Sequence, residues 1–169
     1  MKSNSVIGLV IAIVLIVGVI FYFNSEDNSE KLPGEFSNAQ GESLNNKATS
    51  KVLANNGDSK YLEFSQQEYE KALSEDKIIL LYFYASWCPT CKAEQPETIA
   101  AFNELNNPQV IGFRVNYKDS ATDNDEENLA EEFGIPYQHT KIIIQNGEQV
   151  LKSLDSWNKD RYLEELNKL

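Results

Sequence analysis

An uninterrupted apolar run, Ile78-Ile79-Leu80-Leu81-Tyr82-Phe83-Tyr84-Ala85, stops just before Ser86-Trp87-Cys88-Pro89-Thr90-Cys91. A strand that is apolar at every position has no face to give to water. It predicts a central strand in a sheet covered on both sides. The two cysteines that follow are the only ones in the chain. A C-x-x-C spacing at a strand-to-helix junction is the sequence sign of thiol–disulfide chemistry. The plainer alternative is a structural disulfide. The Trp before the pair, the Pro within it and the strand ahead of it favour a redox pair.

The bulk properties exclude several functions. A formal net charge of −11 on 169 residues leaves no basic stripe to displace counterions, so no nucleic-acid partner is expected. Two cysteines are too few for a disulfide scaffold or a four-cysteine zinc site. The single histidine, His139, cannot complete a Cys2His2 set.

Residues 1–23 read as a transmembrane anchor. Val6 to Phe23 is a run of 18 residues without a charge, long enough to span roughly 27 Å as a helix. Lys2 precedes it and Glu26, Asp27 and Glu30 follow it, which places the later residues outside the cytoplasm. A cleaved signal peptide is the alternative. Against it stand the length of the run, its aromatic end Phe21-Tyr22-Phe23 and the lack of a small-x-small cleavage site nearby. Either reading exports the remainder to where disulfides persist. Residues 24–59 are rich in Asn, Ser, Lys, Glu and Gly and read as a flexible polar linker.

Residues 60–169 read as the folded domain, about 110 residues with one core. Tyr61–Phe64 alternates like a strand, and Ser65 caps a helix through Leu73 with Glu68 placed for a capping box. After the central strand, a helix starts within the C-x-x-C and runs to about Leu105, with Pro96 expected to kink it. Gln109–Asn116 is a strand and Glu126–Phe133 a helix stopped by Gly134. Thr140–Ile144 and Gln149–Ser153 flank Asn146-Gly147 as a hairpin, and Asp160–Leu169 is a closing helix. The order β-α-β-α-β-α-β-β-α is an α/β fold, a mixed central sheet flanked by helices.

In this arrangement the chain resembles a thioredoxin from about Tyr61 onward. The strand and helix start Ile79 to Lys92, Pro96 five residues past Cys91, Phe133-Gly134-Ile135 and the Asn146-Gly147 hairpin all stand in register with that superfamily. The resemblance implies a thioredoxin-like fold carrying a thiol–disulfide oxidoreductase, here membrane-anchored and extracytoplasmic. Cys88, at a helix N-terminus that favours a thiolate, would attack a substrate disulfide, and Cys91 would resolve the mixed disulfide. Trp87 would shield the pair. Pro89 and Thr90 would tune its potential: Pro-Thr is neither the Gly-Pro of reducing members nor the Pro-His of oxidising ones, which points to the reducing or intermediate side.

Three positions depart from the family pattern. Tyr82 stands where thioredoxins carry a buried Asp that relays the resolving thiol's proton; Glu94 is a nearby carboxylate that reads as a solvated helix residue. At the family's cis-proline, the ending Gly134-Ile135-Pro136 suggests Pro136, but counting back from Asn146-Gly147 puts His139-Thr140 there. The family's proline binds substrate and keeps metals off the dithiol. His139 in its place would face the thiols, where it could hydrogen-bond, stabilise a thiolate or complete a metal site. Finally, Lys118–Glu132 is longer than the family's loop and acidic. It reads as a helix started by acids, with a partner surface or a calcium loop as alternatives.

The leading expectation is a single-pass cell-membrane oxidoreductase, acting as a protein-disulfide reductase rather than an oxidase. It would work on thiols and disulfides of exported proteins, be recharged by a membrane redox partner, and need no cofactor beyond the Cys88–Cys91 disulfide. The alternative is a copper- or other metal-handling protein using Cys88, Cys91 and His139. A third reading is a tethered binding module with a structural disulfide.

Overall fold

The computed structural model describes residues 50–169. The segment expected to be an anchor and most of the expected linker therefore lie outside the described residues. Among the described residues, no helix is long and apolar enough to cross a membrane.

Ten elements follow one another: β1 (Val52–Asn55), β2 (Lys60–Glu63), α1 (Gln66–Ser74), β3 (Ile78–Tyr84), α2 (Pro89–Glu104), β4 (Val110–Asn116), α3 (Asn124–Glu132), β5 (Lys141–Gln145), β6 (Glu148–Ser153) and α4 (Lys159–Asn167). The six strands form one mixed sheet in the order β1-β2-β4-β3-β5-β6. β2, β4 and β3 run parallel; β1, β5 and β6 pair antiparallel with their neighbours.

The unbroken apolar character of β3 follows from its place. Leu80 and Tyr82 face a core built with Ala101, Phe102, Trp157 and Tyr162 of α2, α4 and the turn before α4. Ile79, Leu81 and Phe83 face a second core with Tyr69, Phe113, Leu129 and Ile142. Alternating side chains thus enter two different cores, and neither alternation can be polar. Gly112 on β4 is required by one of these contacts. A Cβ there would lie 2.5 Å from the Phe102 ring, which stacks on Tyr61 at a 5.2 Å centroid separation.

Local chemistry sets the element ends. The Ser65 hydroxyl accepts the Glu68 amide, the one half of the expected box that forms. At α3 the box is complete, with Asp123 as cap and Glu126 reaching back to the Asp123 amide. α3 therefore starts two residues before the expected Glu126 and takes its acids into the first turn, where the helix dipole favours them. Asn146 and Gly147 both take left-handed backbone, as a two-residue hairpin turn requires. α2 continues through Pro96 to Glu104 as one helix.

One expectation is corrected. The polar segment assigned to the linker through residue 59 contains β1. Its Ala54 is buried, the Glu63 amide donates to the Lys51 carbonyl, and Asn56 bonds the Leu105 carbonyl. Ser59 is fully buried, donating to the Asn107 carbonyl at 2.9 Å and accepting the Asn107 amide at 3.3 Å. Three apolar residues among Asn, Ser and Lys are too few to show a strand. An edge strand of four residues is held by its ladder and its seam.

Candidate functional site

β3 ends at Tyr84 and the chain turns through Ala85-Ser86-Trp87 into α2. Cys88 is the N-cap, in extended backbone, and Pro89 opens the helix, where its missing N–H costs nothing. The Cys91 amide donates to Cys88 Sγ at 3.2 Å, and the Cys91 thiol points at the same sulfur from 2.6 Å. Both thiols are free. Cys88 keeps 6% of its surface exposed and Cys91 none. Cys88 is thus the less buried of the two. Burial, reinforced by the Cys88 contact, pushes the Cys91 thiol up to about 11, although backbone hydrogen bonding from Ala85 and His139 pulls the other way.

The turn before the pair is held from the acidic segment. The Trp87 indole donates to the Lys118 carbonyl at 2.9 Å, and the Ser86 amide donates to Asp119. The Ser86 amide, joined by the Ser120 hydroxyl donating at 3.2 Å, holds the Asp119 carboxyl below the usual range. Trp87 is 57% exposed, and Tyr137, two residues before His139, is exposed as well. Thr90 is half-buried in the first turn of α2.

The second strand of the site is the approach to β5. The His139 amide donates to the Phe83 carbonyl at 2.7 Å and the Phe83 amide to the Thr140 carbonyl at 3.0 Å, which locks this segment against β3. His139 has left-handed backbone, with φ of 56°, and its ring packs on Tyr137. Cys88, Cys91 and His139 have donor atoms all within 4.8 Å of one another. Pro136 is exposed on the loop before. Of the two candidate positions, the structure brings His139 to the thiols. Burial, and then the Lys141 charge, lower the His139 pKa below its usual value, so the imidazole is neutral at pH 7. It brings no positive charge to a thiolate; it can donate, accept or ligate.

Glu94 corrects a second expectation. Far from being solvated, it is 3% exposed. Its carboxylate accepts from Lys141 Nζ at 2.6 Å, the Trp157 amide at 2.9 Å and the Tyr162 hydroxyl at 2.8 Å. The Tyr82 hydroxyl lies 3.5 Å from both Glu94 and the Cys91 carbonyl. Burial and the Glu94 charge hold the Tyr82 phenol far above its ordinary pKa, so it stays protonated. Burial lowers the Lys141 ammonium pKa and Glu94 opposes that. Lys141 went unnoticed in the sequence. A lysine opening the apolar run Ile142-Ile143-Ile144 was the available signal, and Glu94 one turn past Cys91 its partner.

These features agree with comparisons to known proteins. The thioredoxin family model matches residues 60–168. The chain belongs to the thioredoxin family. Thioredoxin H4 of Arabidopsis thaliana is 33% identical over 96 residues, 55% of this chain and 72% of the relative. A thioredoxin-like protein of Fusarium culmorum is 30% identical over 86 residues, 51% of this chain and 67% of the relative. The crystal structure of thioredoxin from Aeropyrum pernix superposes with a TM-score of 0.53, covering 70% of this chain and 91% of that one. At 19% identity that last likeness bears on the fold alone. The chain is a thioredoxin-like redox protein with a Cys-x-x-Cys pair.

Proposed function

We propose that this thioredoxin-family protein is a membrane-tethered, extracytoplasmic thiol–disulfide oxidoreductase that works as a reductase of exported proteins. The observation that carries the exchange chemistry is the N-cap geometry of Cys88: the less buried of the two sulfurs, held by the Cys91 amide, with the fully buried Cys91 thiol 2.6 Å behind it. Cys88 attacks a substrate disulfide and forms the mixed disulfide, releasing one substrate thiolate. Cys91 attacks Cys88, releases the second substrate thiol and leaves the Cys88–Cys91 disulfide. Two electrons pass to the substrate, and a membrane redox partner returns them. Trp87, Pro89 and Thr90 shape the approach, and Tyr82, always protonated, takes no proton.

The reducing direction is supported by what surrounds the pair. Strong oxidants of this chemistry owe their potential to a stabilised reduced form. Neither Thr90 nor the neutral His139 offers a charge that would supply that stabilisation. The tether rests on the apolar run Val6–Phe23.

The test is the reduction potential of the full chain, equilibrated in defined thiol buffers with a chelator and read by alkylation mass shift. A value near about −270 mV is expected for a reductase, and one near about −120 mV would make the protein a disulfide donor instead. Labelling of intact cells with a membrane-impermeant thiol reagent tests the location; Cys88 modified only after lysis would overturn it.

A further inference from the structure

Three soft or borderline donors meet at the active face, and one of them has nothing to do there. The Nδ1 atom of His139 is buried and has no hydrogen-bond partner among the described residues. A buried imidazole nitrogen left unpaired loses its hydration without recompense, so such an atom calls for an explanation. The backbone adds to the puzzle. His139 holds φ of 56°, a conformation non-glycine residues seldom adopt, and its amide is fixed to Phe83. The ring is thereby kept on the thiol side of the loop, against Tyr137, with one of its nitrogens within 4.8 Å of both sulfurs.

We propose that the dithiol form of this site binds one thiophilic metal ion, Zn(II) or Cu(I), through Cys88 Sγ, Cys91 Sγ and an imidazole nitrogen of His139. The proposal rests on the exchange reading, because the dithiol is the form that exchange regenerates. Two thiolates with one imidazole are the donor set these two ions share. Among the described residues no fourth donor of the same kind joins the cluster. Cu(I) is complete with three; Zn(II) would keep one open position, as in three-ligand zinc sites. Glu94 is no candidate, since Lys141, Trp157 and Tyr162 already claim its carboxylate.

The geometry also says what binding demands. The sulfurs stand 2.6 Å apart, closer than the roughly 3.7 Å that two Zn–S bonds of about 2.3 Å at a tetrahedral angle would set. Cys88, at the helix cap and partly exposed, is the side chain free to move outward. Binding releases the two thiol protons and changes no oxidation state. Forming the Cys88–Cys91 disulfide removes both thiolates and must eject the ion. Metal occupancy and disulfide exchange are therefore mutually exclusive states of one pair of sulfurs.

The experiment uses the full chain in detergent, reduced and freed of metal. It is titrated with Zn(II) against a chromophoric chelator and, separately, with Cu(I) against bicinchoninate. Expected are one ion per chain, protection of both thiols from alkylation, and no binding to the oxidised form. His139→Asn keeps a residue that tolerates left-handed backbone, and should weaken binding at least tenfold. His139→Ala is the second variant, with circular dichroism to show that both remain folded. Binding by Zn(II) alone or Cu(I) alone decides which ion the site takes and supports the proposal. It is overturned by equal affinity in His139→Asn and wild type, by half an ion per chain, by binding to the disulfide form, or by no binding of either ion. Exchange measured in chelator reads the oxidoreductase assignment separately, so the two can fail independently.

Discussion

Cys91 and Glu94 sit one turn apart on α2, both buried, and the groups around them follow opposite rules. Around Glu94 the polar groups are matched: a carboxylate receives an ammonium, a backbone amide and a phenol. Around Cys91 they are left open, with two free thiols, an imidazole nitrogen without a partner, strained backbone at His139 and a largely exposed Trp87. A buried polar cluster that satisfies itself has nothing left to offer a ligand. One that does not is held ready for something else. The difference separates the part of this helix that holds the fold from the part that does chemistry.

Substitution at the open end should remove activity and spare the fold. Cys88→Ser is expected to abolish reduction of a protein disulfide, since a neutral hydroxyl cannot replace the attacking thiolate. Cys91→Ser should instead accumulate the mixed disulfide on Cys88, visible as a mass increase equal to the substrate thiol. Urea midpoints of both reduced variants should stay close to wild type. Retained turnover in Cys88→Ser, or a large loss of stability, would erase the distinction between the two ends.

The closed end should behave the other way. Glu94→Ala strands the Lys141 charge in a site with no exposure and is expected to cost about 3–5 kcal/mol in urea unfolding. Replacing both partners, Glu94→Leu with Lys141→Met, should recover the part owed to the stranded charge, while the Trp157 amide and the Tyr162 hydroxyl that Glu94 accepted stay unpaired. If the double variant stayed as unstable as Glu94→Ala, the cluster would be holding α2, β5 and α4 by shape rather than by charge matching.

The sequence disclosed these two regions unequally. The strand, the cap and the C-x-x-C were legible because each is a local pattern: apolar continuity, a Trp, a Pro at the first helical position. His139 was legible only through the resemblance, since counting back from Asn146-Gly147 puts it at the family's proline position, and the structure brings it to the thiols. The Glu94–Lys141 pair was not legible. Its partners are 47 residues apart, and nothing in a helix sequence shows that a glutamate meets a lysine on a strand. β1 was missed for a related reason. Its neighbourhood is polar because Asn56 and Ser59 bond a seam, and polar composition by itself resembles a tether.

Ser59 extends the comparison to that seam. Its hydroxyl serves both the carbonyl and the amide of Asn107, and it is fully buried. It belongs with the matched clusters, so Ser59→Ala should cost about 1–2 kcal/mol by leaving buried backbone groups unpaired. A value near zero, with water replacing the hydroxyl, would mean that β1 packs loosely enough to be called an appendage.

Glu126 is the smallest effect and the sharpest contrast with Glu94. It too is 3% exposed, but no cation meets it; it accepts only from the Asn116 amide and side chain and from the Asp123 amide. Burial outweighs those hydrogen bonds and pushes its carboxyl up to about 7 from an ordinary 4.5. The folded protein therefore keeps a proton on Glu126 through a range in which the unfolded chain has released it. Its contribution to stability is greatest below pH 4.5 and is lost as the pH rises toward 7. Between pH 5 and pH 7.5, wild type should lose about 1 kcal/mol more than Glu126→Gln, once partial solvation is discounted from a shift of that size. A wild type that gained stability relative to Glu126→Gln over that range would show the three N–H donors prevailing over burial. A carboxylate would then need no ammonium to be matched inside this fold, and the role given to Lys141 beside Glu94 would lose its reason.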